Sequence, residues 1–247
     1  MYISGVPAVV LKAVINYCKF AQTIPSPKAL YRNNSTNQKP TLMKIAIIGH
    51  GNVGGALAKR WARAGYLCVI GARDPKSDKV IDLIHGANGV SATEIKESVR
   101  GAAAILVATP PDAIPGIAKE IGDVSNAIII DATNSVFKRP EGYANGYEAF
   151  KALTNAKSVI KCFNTTGYEN MENPDYHGVK ADMFMAGGNK EAKNLAEQLA
   201  KDAGFDEVYD FGGDDKVPLI ESFAMAWINL AILQKYGRGM AFKVLRR

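Results

Sequence analysis

Three glycines in the run Gly49-His50-Gly51-Asn52-Val53-Gly54 have the spacing G-x-G-x-x-G. An apolar, β-branched run at 44–48 precedes them, and a segment of helical character at 54–64 follows. In such a strand–loop–helix unit the first glycine permits a tight turn and the second lets a pyrophosphate approach the backbone. The third lets the helix pack closely on the strand, and the helix N-terminus faces the phosphates. The run therefore predicts a dinucleotide-binding loop in which all six residues lie near the cofactor.

Strands and helices alternate after this loop. Nearly continuous apolar strands are typical of a parallel sheet that is covered on both faces. We therefore predict an α/β fold: a Rossmann, doubly wound, mostly parallel sheet with a C-terminal helix. The predicted strands are 44–48, 67–70, 103–108, 127–130, 158–163, 183–186 and 208–210, and the predicted helices are 54–64, 75–84, 190–203 and 219–236.

The domain prediction has three parts: a leader at 1–42, an NADP-binding Rossmann domain at 43–212 and a C-terminal helical segment at 213–247. The leader contains five basic residues, no acidic residue and a turn-rich stretch. It fits a secretory signal poorly, and its single arginine weakens an organelle transit peptide. We favour an over-long translation start, with Met43 beginning the functional chain.

The net charge of +6 is concentrated in the leader, which leaves 25 basic and 24 acidic residues in 43–247. Because the folded part is nearly neutral, it has no excess of positive charge that would attract a polyanion. Nucleic acid is therefore not an expected partner. No run of about 18 apolar residues predicts a membrane span. The three scattered cysteines fit neither a disulfide framework nor a metal site, and we expect a cytoplasmic protein without a metal.

The end of the second predicted strand bears on the choice of nicotinamide cofactor. An acidic residue at this position usually binds the ribose of NAD, whereas this chain has Gly71-Ala72-Arg73. The Arg73 guanidinium can bind a 2′-phosphate, with Lys76 and Lys79 close in sequence. Asp74 is the alternative, since it could serve NAD. Its place before Pro75 favours helix capping, and we predict NADP(H).

Polar residues follow three later strands. Thr109 and Pro110 end one, Asn134 follows the next, and Phe163, Asn164 and Thr165 follow the third. Each set has an ordinary explanation as turn residues, but parallel strands bring their carboxyl ends to one edge of the sheet. We predict cofactor contacts at Thr109, Pro110 and Asn134. Cys162 is interpreted as a buried thiol, and no sequence pattern indicates a catalytic side chain.

The last predicted helix carries Ile220, Phe223, Trp227 and Leu230 at helical spacing. This stripe is expected to pack on the sheet or on a second subunit. A homodimer through the helix is one hypothesis.

Four segments resemble one known family: 43–49, the Gly-Ala-Arg stretch at 71–73, 131–134 and 159–165. It is the NADP oxidoreductase family that depends on the deazaflavin coenzyme F420. The Rossmann domains of membrane metalloreductases and of pyrroline-5-carboxylate reductase are similar.

The resemblance implies hydride transfer between NADP(H) and a small-molecule redox acceptor, which would be coenzyme F420, FMN or FAD. It also implies that no side chain acts as acid or base. The glycine run would hold the pyrophosphate and Arg73 the 2′-phosphate. Phe163, Asn164 and Thr165 would shape the acceptor pocket.

Two alternatives compete with this interpretation. Imine, β-hydroxyacid and pyrroline-carboxylate reductases complete their sites with a large helical domain, and the 34 residues that follow Gly213 here argue against that class. A non-catalytic NADP(H)-binding module that senses redox state is the other, because the fold alone does not fix function.

Overall fold

The computed structural model describes residues 42–247, so the prediction for the leader lies outside the described residues. Their centre is an eight-stranded sheet in the order β10-β9-β6-β5-β4-β1-β2-β3, beside a two-stranded sheet of β7 and β8. The strands are β1 (Lys44–Ile48), β2 (Leu67–Ala72), β3 (Val90–Glu94), β4 (Ala104–Val107), β5 (Ile128–Asp131), β6 (Ser158–Cys162), β7 (Asp175–Tyr176), β8 (Val179–Lys180), β9 (Met183–Ala186) and β10 (Val208–Asp210).

Eight α-helices connect or follow these strands within the described range. They are α1 (Asn52–Arg63), α2 (Asp78–His85), α3 (Ile95–Ser98), α4 (Ile114–Ile121), α5 (Gly146–Leu153), α6 (Tyr168–Glu172), α7 (Lys190–Asp202) and α8 (Val217–Ile228). Their starts have local causes: the Asn145 side chain accepts a hydrogen bond from the Glu148 N–H at the start of α5, and Asn189 accepts one from Ala192 at the start of α7.

The first six strands are parallel and have the order 3-2-1-4-5-6. In this doubly wound arrangement the chain changes direction across the sheet between β1 and β4, and ligands bind outside the carboxyl ends of the strands at that point. β9 runs antiparallel to β6, and β10 is parallel to β9. The predicted fold class, a mostly parallel α/β sheet with a C-terminal helix, is confirmed.

Alternation along each strand divides the core between the two faces of the sheet. Ile45 and Ile47 of β1 pack with Trp61 and Leu199 on one face. Ala46 and Ile48 pack with Phe150 and its neighbours on the other. Because both faces are covered by helices, the central strands are apolar throughout, as parallel strands require.

The predicted helix at 75–84 begins later than expected. The structure starts α2 at Asp78, with Ser77 at the N-cap position. The Asp74 carboxylate instead accepts the N–H of Lys76 at 3.0 Å, and its carbonyl accepts the Ser77 hydroxyl at 3.0 Å. A local turn of this kind competes with helix, so the prediction that Asp74 caps the helix was wrong.

The C-terminal helix also differs from its predicted range of 219–236. It begins at Val217, and the regular helix gives way at Asn229 to a π-helical turn that ends at Leu233. The combined stretch Asp214–Leu233 has a mean hydropathy of 1.4, which by length and composition would suffice to cross a membrane. Ile220 and Trp227 are buried against the rest of the chain, although only 28% of this apolar stretch is buried.

Candidate functional site

The glycine run forms a tight cradle between β1 and α1. Gly49 has φ +106°, and a Cβ there would lie 2.4 Å from the Ala108 carbonyl oxygen. A Cβ on Gly54 would lie 1.8 Å from the Gly49 carbonyl oxygen, so helix and loop approach closely because neither residue has a side chain.

The second glycine of the run faces open space. A Cβ on Gly51 would have no atom of the described residues within 4 Å. Gly51 is also the N-cap residue of α1, and the first turn of that helix contains no acidic residue. The backbone N–H groups and the positive helix end are therefore directed at an open surface that suits a pyrophosphate. Around it, His50 and Val53 are half-buried and Asn52 is exposed.

The end of β2 presents a cationic surface beside this cradle. Gly71 and Ala72 are buried, and Arg73 follows the strand as an exposed residue. Lys76 and Lys79 are exposed in the turn and first turn of α2. The Asp74 carboxylate is already engaged by the Lys76 N–H, so the exposed guanidinium is the group best placed to bind a phosphate here.

Thr109 follows β4 at the other side of the glycine loop. Its Cγ2 atom would lie 3.0 Å from a Cβ on Gly49, which places it directly against the loop. Its Oγ1 atom is buried and has no hydrogen-bond partner within the described part of the chain. Such an atom is costly unless a ligand or water satisfies it. The following Pro110 is exposed.

Asn134 and Asn164 join the loops that follow β5 and β6. The Asn134 amide donates to the Asn164 carbonyl at 2.7 Å, and the Asn164 amide donates to Asn134 Oδ1 at 3.0 Å. Asn164 Oδ1 and the hydroxyl of Ser135 are buried without a partner among residues 42–247. Thr165 is buried alongside them, at 2% exposure. The structure thus brings two of the predicted strand ends together around unsatisfied polar atoms.

Phe163 lies at the same strand end, but its ring has another role. It has φ +63°, a left-handed conformation rare for an aromatic residue, and is 1% exposed. The ring packs edge-on against Trp61, with centroids 5.6 Å apart. Its side chain therefore belongs to the core, and the residue borders the site through its backbone.

A buried ionic network underlies this edge of the sheet. The fully buried Lys161 ammonium donates to Asp131 Oδ2 at 3.0 Å and to the Thr133 carbonyl at 2.5 Å, and it also pairs with Glu221. Asp131 Oδ1 in turn accepts the N–H and hydroxyl of Thr133 at 2.9 and 2.7 Å. Glu221 of α8 accepts the Ser135 N–H at 3.1 Å.

No local sequence pattern predicted this network. Lys161 and Asp131 lie within the segments 159–165 and 131–134 that carry the family resemblance, and a charged residue in an otherwise apolar strand was the available signal. Glu221 lies 60 residues or more along the chain in a helix, and no local pattern connects it to either strand.

Strand pairing places the network in the same row of residues as Ile48, which leads into the glycine cradle. Ile48 pairs with Val107, Val107 with Asp131, and Asp131 with Lys161, so one row of residues crosses the sheet at its carboxyl edge. At about 4.8 Å between strands, Asp131 lies about 10 Å from Ile48 along this row. An extended dinucleotide that begins at the glycine cradle would reach it.

Within residues 42–247, the two cysteines and the possible metal ligands do not form a site. Burial raises the pKa of the Cys162 thiol and raises that of Cys68 to about 12, so both favour the inert thiol form. Among residues 42–247, no three His, Cys, Asp or Glu side chains are grouped as metal ligands would be.

Residues 44–135 match a known family. Its model is described as NADP oxidoreductase, coenzyme F420-dependent, and the match runs from β1 to the loop after β5. The resemblance predicted from the sequence is confirmed over this segment, which contains the glycine run, Arg73, Thr109 and Asn134. The match supports NADP(H) binding and an oxidoreductase function in general terms.

One curated relative is metalloreductase STEAP3 of Rattus norvegicus, with 25% identity over 163 residues. The alignment covers 66% of this chain and 32% of the relative, so the chain spans about a third of the length of the curated relative it matches.

Two solved structures share the fold. A candidate F420-dependent NADP reductase from Arthrobacter sp. FB24 is 24% identical, with a TM-score of 0.69 over 83% of this chain and 100% of that chain. A pyrroline-5-carboxylate reductase from Coxiella burnetii is 17% identical, with a TM-score of 0.57 over 77% of this chain and 67% of that chain.

Proposed function

We propose that this protein is an NADP(H)-dependent oxidoreductase that passes a hydride between the nicotinamide and a flavin or deazaflavin acceptor. The observation that carries the proposal is the side-chain-free glycine cradle at the switch point of the sheet, with Arg73 exposed beside it. The name of the matched family supports NADP(H) as one partner and coenzyme F420 as an acceptor. FMN and FAD are the other acceptors we propose.

The chain's own residues would bind and orient rather than exchange protons. The α1 N-terminus and glycine loop would hold the pyrophosphate, and Arg73 the 2′-phosphate. Thr109 and Asn164 would orient the nicotinamide end through their buried polar atoms, with Asn134 holding Asn164 in place. NADPH supplies the chemistry as a hydride, which is two electrons with one proton, and becomes NADP⁺. Positioning the two rings in contact and excluding water would then account for catalysis.

An acceptor screen tests the proposal. Purified protein is mixed with NADPH and, separately, coenzyme F420, FMN or FAD, and the loss of NADPH absorbance near 340 nm is followed. We expect turnover with at least one acceptor. Tight NADPH binding without oxidation by any acceptor would contradict it and favour the redox-sensing module instead.

We further propose that the protein works in the cytoplasm as a homodimer. Leu219 and Leu233 are exposed along the C-terminal helix, at 54% and 59%, and a second copy would cover them. We propose no nucleic-acid or membrane partner, because the described chain is nearly neutral and its C-terminal helix packs on its own sheet.

A further inference from the structure

The buried network at the carboxyl edge of β5 and β6 carries an unbalanced charge. Asp131 and Glu221 each bear a formal charge of −1, and Lys161 between them bears +1. The side chains of Asp131 and Lys161 are fully buried, and that of Glu221 is 15% exposed. Two carboxylates on one ammonium leave one net negative charge in a place where water screens it little.

Lys161 already has two hydrogen-bond acceptors and a second ion-pair partner. Its ammonium donates to Asp131 and to the Thr133 carbonyl, and Glu221 lies in ion-pair contact with it. Asp131 and Lys161 would therefore form a complete neutral pair by themselves, with hydrogen bonds from Thr133 in addition. Glu221 is the extra charge, and a buried charge without a balancing partner is costly to fold. Such residues occur preferentially where a ligand uses them.

The network lies where a nicotinamide ring would supply the missing positive charge. In doubly wound sheets the second half of a dinucleotide lies over the strands on the far side of the switch point, here β4 to β6. Three buried polar atoms without partners among the described residues end these strands or follow them: Thr109 Oγ1, Ser135 Oγ and Asn164 Oδ1. The Ser135 N–H is itself held by Glu221, so the network and these atoms form one surface.

Two ion pairs in the neighbouring loops add no net charge to this edge. Lys138 in the loop after β5 pairs with Asp112 at 2.6 Å, and Arg238 pairs with Glu169 at 2.6 Å. Each pair is neutral as a unit.

We propose that Glu221 makes the bound cofactor a stronger hydride donor. The oxidised nicotinamide ring bears a positive charge and the reduced ring does not. A fixed negative charge near the ring therefore stabilises NADP⁺ relative to NADPH and lowers the reduction potential of the bound couple. Glu221 does this without touching the acceptor, so the effect is the same for every acceptor. The inference rests on the proposed NADP(H) binding.

Binding of the two cofactor forms tests the proposal without any acceptor. Dissociation constants for NADP⁺ and NADPH are measured by calorimetry at fixed ionic strength for the parent protein and for Glu221→Gln, which keeps the side-chain shape. We expect the ratio of the NADP⁺ constant to the NADPH constant to rise about three- to tenfold in the variant, with the NADPH constant nearly unchanged. A tenfold rise corresponds to about 30 mV in the potential of this two-electron couple.

Two further variants complete the design. Glu120→Gln removes an exposed carboxylate near the end of α4, away from the carboxyl edge, and is expected to leave the ratio unchanged. Glu221→Asp keeps the charge and is expected to keep a ratio close to that of the parent, and it serves as the folded reference.

Three results would overturn the inference. Equal weakening of both cofactor forms in Glu221→Gln would assign the residue a structural role, and an unchanged ratio would remove the electrostatic role. A Glu221→Asp ratio that has risen as far as that expected of Glu221→Gln would also contradict the charge argument. A parent protein that binds neither form would instead overturn the proposed function.

Discussion

At the scale of single residues, Arg73 is the residue that we propose to select the nicotinamide cofactor. It is exposed directly after β2, and the competing Asp74 carboxylate is held in a local turn. Because only NADPH carries the 2′-phosphate, Arg73→Ala should weaken NADPH binding about 10- to 100-fold and leave NADH binding nearly unchanged. Titration of both cofactors by fluorescence measures this.

Arg63→Ala is the matched control, because it removes an exposed arginine from the opposite end of α1. It should change neither affinity by more than about twofold. Equal losses of affinity for NADPH and NADH in Arg73→Ala would show that the guanidinium does not bind the 2′-phosphate.

Gly49 is a second residue whose identity is dictated by geometry. Its φ of +106° and the nearby Ala108 carbonyl leave no room for a side chain. Gly49→Ala should therefore abolish measurable NADPH binding and lower the free energy of unfolding by about 1–3 kcal/mol. Gly116→Ala, on the exposed side of α4 with no atom near its Cβ position, should be neutral or slightly stabilising. Undiminished NADPH binding by Gly49→Ala would show that the cradle is not the cofactor site.

These residues also show what sequence can predict about a site. The glycine run and Arg73 are recognisable because their expected roles depend on neighbours within one strand–helix–strand unit. The Asp131–Lys161–Glu221 network depends on strand register and on a helix far along the chain, and neither is encoded locally. Phe163 was expected in a pocket, but its left-handed backbone turns the ring toward Trp61.

At the scale of elements, the strongly apolar strands were predictable and the polar edge strand β3 was not. β4 and β5 are buried throughout, whereas β3 (Val90–Glu94) is an edge strand whose residues are mostly polar or half-buried. Its pairing with β2 comes from tertiary contact rather than from its own composition. The helix at 75–84 was misplaced for a related reason, since the Asp74 turn satisfies backbone groups that a helix would use.

The buried carboxylate of Asp182, just before β9, binds the segment that follows the C-terminal helix. Asp182 is 2% exposed and accepts hydrogen bonds from the Lys243 ammonium and the Val244 N–H, each at 2.8 Å. Asp182→Asn loses the charged acceptor, so the free energy of unfolding should fall by about 2 kcal/mol. Urea denaturation followed by circular dichroism measures the change.

Asp206→Asn is the control for the Asp182–Lys243 interaction. Asp206 pairs with the same Lys243 ammonium at 2.5 Å, but its side chain is 52% exposed. Water screens an exposed ion pair, so the free energy of unfolding of this variant should be close to that of the parent. A larger loss in Asp206→Asn than in Asp182→Asn would contradict the role given to burial.

At the scale of the whole molecule, the C-terminal helix divides its apolar residues between two surfaces. Ile220 and Trp227 are buried within the chain, and the Trp227 indole donates to the Met240 carbonyl at 2.7 Å. Leu219 and Ala226 are exposed and lie seven residues apart, so they share one face of the regular helix, and the exposed Leu233 follows in the π-helical turn. An exposed apolar stripe that contains a small residue suits close pairing of two helices about a two-fold axis.

The proposed homodimer is therefore tested on the exposed stripe rather than at Trp227, whose replacement would disturb the fold of one chain. Leu233→Asp places a charge in the paired stripe and should convert a sedimenting dimer to a monomer, because an unpaired carboxylate is costly to bury. Leu153→Asp, which alters an apolar residue of α5 that is 41% exposed, should leave the dimer intact. A parent protein that sediments as a monomer, or a Leu233→Asp protein that remains a folded dimer, would contradict pairing through this helix.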